Sequence, residues 1–323
     1  MPTGLVTGRF MPPHRGHEHL VAFARAFCGG GPVLVVRVRP DDPIPGDLRL
    51  AWMRESFPDC RVLALDEPDL PGAWPGLLRG ALRTAGIPSG RPDILFAGDA
   101  EDQVLARGLG ARFLPVDPAR GQVPVSSAAC RADPAGMWAD ILPAARPYFL
   151  KRVCIFGPES CGKTTLAHDL ARRYGTAWVP EYTRTYLDVF GPVPTYEMLP
   201  VIARGHAASL AAAERRAVRV LFSDTDALTT RMWSDLVFGR VAPEVEAEVA
   251  VQRWDLTLLT ADDVPFVPDP QRTGGNRREV DLDHCRRVLE AHGRDHLILR
   301  GDWEARMAAA VGAVDRLLGG TPR

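Results

Sequence analysis

At 323 residues the chain is too long for one ordinary domain and fits two, and its 46% hydrophobic and 24% charged content matches soluble globular proteins, excluding disordered and fibrous classes. A formal net charge of -1 argues against a broad basic face for nucleic acid, and no apolar run approaches the roughly 20 residues that span a bilayer. Six cysteines without a C-x-x-C pair read as the reduced thiols of a cytoplasmic protein, and charge begins too early, at Arg9, for a signal peptide. In chain order, residues 4–7 predict a short strand and 18–27 a helix with apolar spacing of three and four. Residues 32–38 form a β-branched buried strand, 48–57 a helix, 61–65 a strand, 77–85 a helix, 94–97 a strand and 101–109 a helix. Such alternation implies a parallel sheet covered by helices. Residues 133–146 are amphipathic but interrupted by prolines, and read as a connector.

The pattern then restarts. Residues 152–156 predict a strand, 163–174 a helix stopped by Gly175, and Trp178 with Val179 a second strand. A long helix over 202–217 leads to a strand over 218–223, with later strands at 254–259 and 296–299. The expected architecture is α/β, two doubly wound parallel-sheet domains meeting near residue 148, over 1–148 and 149–323.

Gly157-Pro-Glu-Ser-Cys-Gly-Lys-Thr164 satisfies G-x-x-x-x-G-K-[ST], directly between an apolar strand and a helix. Gly157 and Gly162 let the backbone fold so that N–H groups around Glu159, Ser160 and Cys161 face phosphate oxygens, and the helix adds its positive end at Thr165. Lys163 supplies a compact charge for the β and γ phosphates, and the Thr164 hydroxyl is a magnesium ligand. Only two of the 39 basic residues are lysine, Lys151 and Lys163, so Lys163 is not explained by composition. Val220-Leu-Phe-Ser-Asp224 supplies the metal-side carboxylate that such a cradle needs, and Asp226 could hold a substrate hydroxyl. Glu181, in Pro180-Glu-Tyr-Thr-Arg-Thr-Tyr186, falls beside the cradle, where a kinase orients or deprotonates an acceptor hydroxyl; a carboxylate at a helix start is the competing reading. Arg272, Arg277 and Arg278, in a segment with Thr273-Gly-Gly-Asn276, could close on the transferring phosphoryl group or belong to an ordinary polar loop. Cys161, at a helix start that lowers a thiol pKa, is either alkylable or structural filler.

In the first half, Gly8-Arg-Phe-Met-Pro-Pro-His-Arg-Gly-His17 occupies the first strand-to-helix turn. Two imidazoles three apart share one face at a helix start, where they can donate to a polyphosphate. Zinc is an alternative without a third ligand at suitable spacing, and two surface histidines is another. The stretch resembles the G-[RK]-F-x-P-x-H-x-G-H motif of nucleotidyltransferases, and Val125-Ser-Ser-Ala-Ala-Cys-Arg131 is similar to their I-S-S-T-x-I-R motif, with Ala128 in place of threonine and Cys130 in place of isoleucine. Together with Asp117-Pro-Ala-Arg120, the P-loop, Glu181-Tyr-Thr-Arg-Thr-Tyr186, Asp224-Thr-Asp226 with Thr229 and Thr230, and Asp269 with Arg272, nearly the whole chain resembles the bifunctional NMN adenylyltransferase/ribosylnicotinamide kinase family, the NadR type.

The resemblance implies a Rossmann-like nucleotidyltransferase followed by a P-loop kinase, acting in NAD biosynthesis with Mg2+ and with ATP as co-substrate. It implies that Gly8, Arg9, Phe10, His14, His17, Gly98, Asp99, Ser126, Ser127 and Arg131 meet one ATP, and that Arg49, Trp52 and Trp74 line the NMN pocket. In the second half it implies a cradle of 157, 159–165 and Arg272 for the other ATP, and Glu181, Tyr182, Arg184 and Asp226 around nicotinamide riboside. The expected catalytic groups are His14, His17, Lys163, Glu181 and Asp226, with Thr164 and Asp224 on the metal. The expected partners are small molecules, with neither nucleic acid nor membrane; a homo-oligomer stays open. Because the chain starts at the first strand, DNA regulation is not expected. A kinase with a vestigial first domain, or a non-catalytic ATP- and NAD-sensing regulator, are the rival readings; retention of His14, His17 and Lys163 favours catalysis.

Overall fold

A computed structural model of the chain describes residues 1–68, 70–87, 89–266 and 279–319, and divides it into two compact units, Met1–Tyr148 and Phe149–Arg323. The first contains β1 (Gly4–Gly8), α1 (Arg15–Cys28), β2 (Val33–Val38), α2 (Gly46–Ser56), β3 (Arg61–Asp66) and α3 (Trp74–Thr84). It continues through β4 (Ile94–Ala97), α4 (Asp102–Leu109), β5 (Arg112–Pro115) and α5 (Ser127–Ala132), and α6 (Arg146–Phe149) closes it. Its strands are all parallel, in the order β3-β2-β1-β4-β5. Alternate strand residues reach opposite faces. Val6, Leu34, Val36 and Phe96 pack with α1 and α2 through Val21, Ala24 and Met53. Leu5, Val33, Val35 and Leu95 pack on the other side with α3 and α4 through Leu78, Leu82 and Leu109.

The second unit comprises β6 (Lys151–Phe156), α7 (Lys163–Tyr174), β7 (Trp178–Val179), α8 (Tyr182–Phe190), α9 (Leu199–Glu214) and β8 (Val220–Asp224). Then follow α10 (Ala227–Phe238), α11 (Pro243–Val251), β9 (Leu256–Thr260), α12 (Leu282–Ala291), β10 (Leu297–Leu299) and α13 (Trp303–Leu317). Its parallel order is β10-β9-β6-β8-β7. Val153 and Ile155 face α7 and α13, whereas Cys154 and Phe156 face α10 and α12. In each unit the first strand is central and its neighbours arrive later in the chain. That arrangement creates a switch point, where a crevice opens at the carboxyl ends of the strands. Among the described residues no helix is long and apolar enough to cross a membrane.

Candidate active sites

The first crevice lies where β1 meets β4. The chain leaves β1 at Gly8 and enters α1 at its N-cap His14, and the two motif histidines cap the helix for each other. The Gly16 N–H donates to His14 Nδ1 (3.2 Å), and the His14 N–H donates to His17 Nδ1 (3.1 Å). With both Nδ1 atoms accepting, each neutral ring carries its proton on Nε2. Burial, with the Arg120 guanidinium nearby, pushes His14 down to about 4. Burial also drives His17 well below its ordinary range, helped by His14 and Arg120. The rings lie 3.8 Å apart, tilted by 33°, and present neutral N–H donors beside a helix N-terminus, a setting for phosphate oxygens.

Phe10 is buried, at a positive φ of 50°, with its ring edge-on to His17 at 4.8 Å, so it backs the imidazole rather than facing a ligand. The second motif clasps the same loop from α5. Ser127 Oγ donates to the Pro12 carbonyl (3.1 Å), Arg131 donates to the Met11 carbonyl, and Ser126 caps α5 by accepting from Ala129 N–H (3.1 Å). Gly98 and Asp99 follow β4 across the switch point, and Asp99 lies 4.0 Å from Arg120. Arg120 was missed as a site residue, although Asp117-Pro-Ala-Arg120 stands out in the sequence. The Asp117 carboxylate accepts from the N–H groups of Gly121 (2.7 Å), Gln122 (3.1 Å) and Val123 (3.0 Å), fixing a turn that brings the Arg120 charge to the histidines.

Arg49, Trp52 and Trp74 are all buried. Arg49 is fully buried, donating to the carbonyls of Arg9 (2.7 Å) and Arg37 (2.9 Å) and to Asp42 (2.6 Å). A guanidinium so fully engaged ties together the loop after β1. Trp52 is buried edge-on to Tyr148 at 5.5 Å, and Trp74 is buried in the α3 core.

The second crevice begins at the end of β6. Gly157 has φ 143°, and a Cβ there would come within 2.7 Å of the Thr260 carbonyl; Ser160 (φ 57°) and Gly162 (φ 80°) complete the tight loop. These are conformations that only glycine adopts freely, as a phosphate cradle needs. Lys163 Nζ donates to the Pro158 carbonyl (2.7 Å), folded onto the loop, with Thr164 and Thr165 exposed behind it. Glu159 accepts from Glu279 N–H (3.3 Å). Cys161 is buried and its thiol donates to the Glu159 carbonyl (3.4 Å). Arg306, buried on α13, anchors the cradle from below. It donates to the carbonyls of Cys161 (3.1 Å), Ala261 (3.1 Å) and Gly301 (2.9 Å) and pairs with Asp263.

Asp224 ends β8 with no exposed surface, accepting from the Thr164 hydroxyl (2.5 Å), and its second oxygen, Oδ1, is buried without a partner. Burial and the Glu181 carboxylate push it up to about 6, against Lys163, the Thr164 hydrogen bond and Arg184. A cavity of about 190 Å3 beside it is lined by Lys163, Glu181, Arg184 and Thr225 and by the apolar side chains of Leu187, Trp233 and Phe238. Glu181 is the N-cap residue of α8 without a capping bond; it pairs instead with Arg184 (3.1 Å). Tyr182 turns away, its ring lying where a side chain on Gly205 of α9 would stand.

Asp226 sits in a different setting from Asp224. Thr225 adopts φ 68°, which rotates the next residue out of the crevice to become the N-cap of α10. Asp226 is 2% exposed; Oδ1 accepts from Thr229 N–H (3.0 Å) and Thr229 Oγ1 (3.1 Å), and Oδ2 pairs with Arg294. The turn is braced by buried His206 of α9, 3.1 Å from Ser223 Oγ, whose own proton goes to the Thr225 carbonyl (2.9 Å). Asp269, Arg272, Arg277 and Arg278 lie outside the described residues.

A family model described as an AAA domain matches residues 152–306. The trifunctional NAD biosynthesis/regulator protein NadR of Salmonella typhimurium is 29% identical, over 98% of this chain and 83% of that protein. A crystal structure of a NadR protein in complex with NAD and AMP-PNP superposes with a TM-score of 0.82 at 22% identity, over 100% of this chain and 98% of that chain. A NadR protein in complex with NR gives 0.77 at 22% identity, over 99% and 97%. At that identity the two structures establish the fold. The trifunctional NAD biosynthesis/regulator protein NadR of Escherichia coli (strain K12) is 30% identical, over 84% of this chain and 72% of that protein, and with that relationship the chain belongs to the NadR family of NAD biosynthesis proteins.

Proposed function

We propose that the second unit phosphorylates nicotinamide riboside from ATP and that the first joins the resulting mononucleotide to AMP, giving NAD. The observation that carries the kinase half is the shared cavity, lined by Lys163, Glu181 and Arg184 together with Leu187, Trp233 and Phe238. There the riboside 5′-hydroxyl oxygen attacks the γ-phosphorus, Glu181 accepts the hydroxyl proton, and ADP leaves. Lys163 leaves the Pro158 carbonyl for the phosphates. The unpartnered Asp224 oxygen and the Thr164 hydroxyl are hard donors that fit Mg2+, which would supply charge neutralisation between the phosphates.

In the first unit, a phosphate oxygen of NMN attacks the ATP α-phosphorus and pyrophosphate leaves. No base is needed, because the nucleophile is already an anion; the Nε2–H groups of His14 and His17, with Arg120, stabilise the developing charge. The test is one time course with the purified chain, nicotinamide riboside and Mg-ATP, following NMN and NAD separately. NMN should rise first and NAD follow. Binding of both nucleotides without turnover would favour the regulator reading, and NMN without NAD the kinase-only one. Glu181→Gln should lower riboside phosphorylation by a factor on the order of 10²; a parental rate would remove Glu181 as the base.

A further inference from the structure

The buried imidazole of His206 takes no part in the phosphoryl transfer described above. It stands on the inward stripe of α9, in line with Leu199, Ile202, Ala203, Leu210 and Ala213, and is 3% exposed. Leucine would fill such a position; an imidazole there needs hydrogen-bond partners, and it meets the hydroxyl of Ser223, which has no exposed surface. Ser223 owns a single hydroxyl proton and gives it to the Thr225 carbonyl (2.9 Å). Toward His206, 3.1 Å away, the same oxygen can only accept, so His206 Nε2 is the donor. The chain of bonds therefore runs from imidazole to hydroxyl to carbonyl, from α9 to the end of β8.

The carbonyl at its end belongs to a residue in an unfavourable conformation. Thr225 has φ 68°, an outlier for a β-branched residue, and such a conformation persists only where its surroundings over-determine it. Two bonds grip the residue. Its N–H donates to the Ile155 carbonyl (3.0 Å), continuing the pairing of β6 with β8, and its carbonyl takes the Ser223 proton. The consequence falls on two carboxylates. Along an extended chain residues 224 and 226 would share one face. With Thr225 left-handed, Asp226 swings away to cap α10, while Asp224 stays against the Thr164 hydroxyl with Oδ1 unpartnered.

The geometry points to His206 as a positioning residue of the kinase site: through Ser223 it holds the Thr225 turn, and with it the aim of Asp224 toward Mg2+. The inference rests on the kinase reading of the second unit. Outer hydrogen bonds that orient a metal-side ligand govern metal affinity or activity by about 10–100-fold, which sets the scale of the effect.

The test uses the full-length chain, His206→Leu, and His206→Gln, whose amide N–H can replace the imidazole donor. Calorimetry measures the affinity of each protein for AMP-PNP with and without saturating Mg2+. The tightening that Mg2+ brings should shrink about tenfold or more in His206→Leu and return in large part in His206→Gln, with the metal-free affinity equal in all three. In riboside phosphorylation, His206→Leu should raise the Mg2+ concentration for half-maximal rate and leave the KM for riboside unchanged. Equal tightening in the parent and His206→Leu, or none in the parent, overturns the proposal; a lower melting temperature as the sole effect does the same. If His206→Leu does not fold, Ser223→Ala breaks the same chain of bonds: reduced tightening there supports the proposal, and parental tightening overturns it. If the parent phosphorylates no riboside, the kinase reading fails, and the calorimetric comparison still decides the role of His206.

Discussion

His14 is 7% exposed, and its ring nitrogen is engaged by a backbone N–H, so the folded first unit keeps it neutral where an unfolded chain does not. Unfolded, the ring titrates near 6.5; folded, at about 4. Between those values the unfolded state binds more protons, so stability is fully present above the window and falls as pH is lowered through it. Each pH unit is worth about 1.4 kcal/mol, so by pH 4 the loss approaches roughly 3 kcal/mol. His14→Gln, which keeps an acceptor for Gly16 N–H, should remove that part of the acid sensitivity. Native-state hydrogen exchange of the α1 amides at several pH values would measure it in the full chain; identical slopes in both proteins would show that the ring is not held neutral. Arg120 belongs to the same scale: Arg120→Ala should slow NAD formation from NMN while sparing riboside phosphorylation, and unchanged kcat/KM would remove it from the site.

At the scale of elements, α13 is tied to the phosphate cradle by one side chain. Arg306→Met leaves Asp263 without its guanidinium and removes the donor to the Cys161 carbonyl. Asp263 is a third exposed and can take water in its place, so the cost lies in the buried carbonyls left without a donor, about 1–3 kcal/mol each. The second unit should melt earlier, and the KM for ATP in riboside phosphorylation should rise. An unchanged melting curve would show that α13 is not the support. Which elements were legible follows from what a strand or helix must hide. The run Val33-Leu-Val-Val36 is apolar because both faces of β2 are covered, and it read as a strand without difficulty. The cradle was equally plain, since backbone conformation rather than packing dictates Gly157, Gly162 and the strand–helix setting. By contrast, β5 is four residues with exposed ends, and α10 buries Leu228, Thr229, Thr230, Met232 and Ser234 on several sides, which blurs any single stripe. The different settings of Asp224 and Asp226 come down to one dihedral that the sequence does not show, the left-handed Thr225 between them. The family resemblance placed Arg49 at the NMN pocket, and spacing could not reveal the internal acceptors that engage it.

For the molecule as a whole, two phosphate sites of different construction should be separable. Lys163→Ala should abolish NMN formation from riboside yet leave NAD formation from added NMN largely intact; His17→Ala should do the converse. Mixing the two variants should restore NAD from riboside, because NMN diffuses between chains. Loss of both activities in a still-folded Lys163→Ala chain would reveal coupling between the units. The strand orders carry a consequence for synthesis on the ribosome. β6 is made first in its unit but sits at the centre of its sheet, and its two neighbours, β8 and β9, begin only at Val220 and Leu256. The β1 strand, by comparison, meets β2 as soon as Val33 emerges. A growing chain thus carries an apolar β6 with both edges unpaired while more than sixty further residues are added, the kind of long-range closure that is slow and prone to misassociation. Nascent chains halted between residues 156 and 220 should depend most on chaperones, whereas those halted near residue 148 already hold every strand of the first sheet.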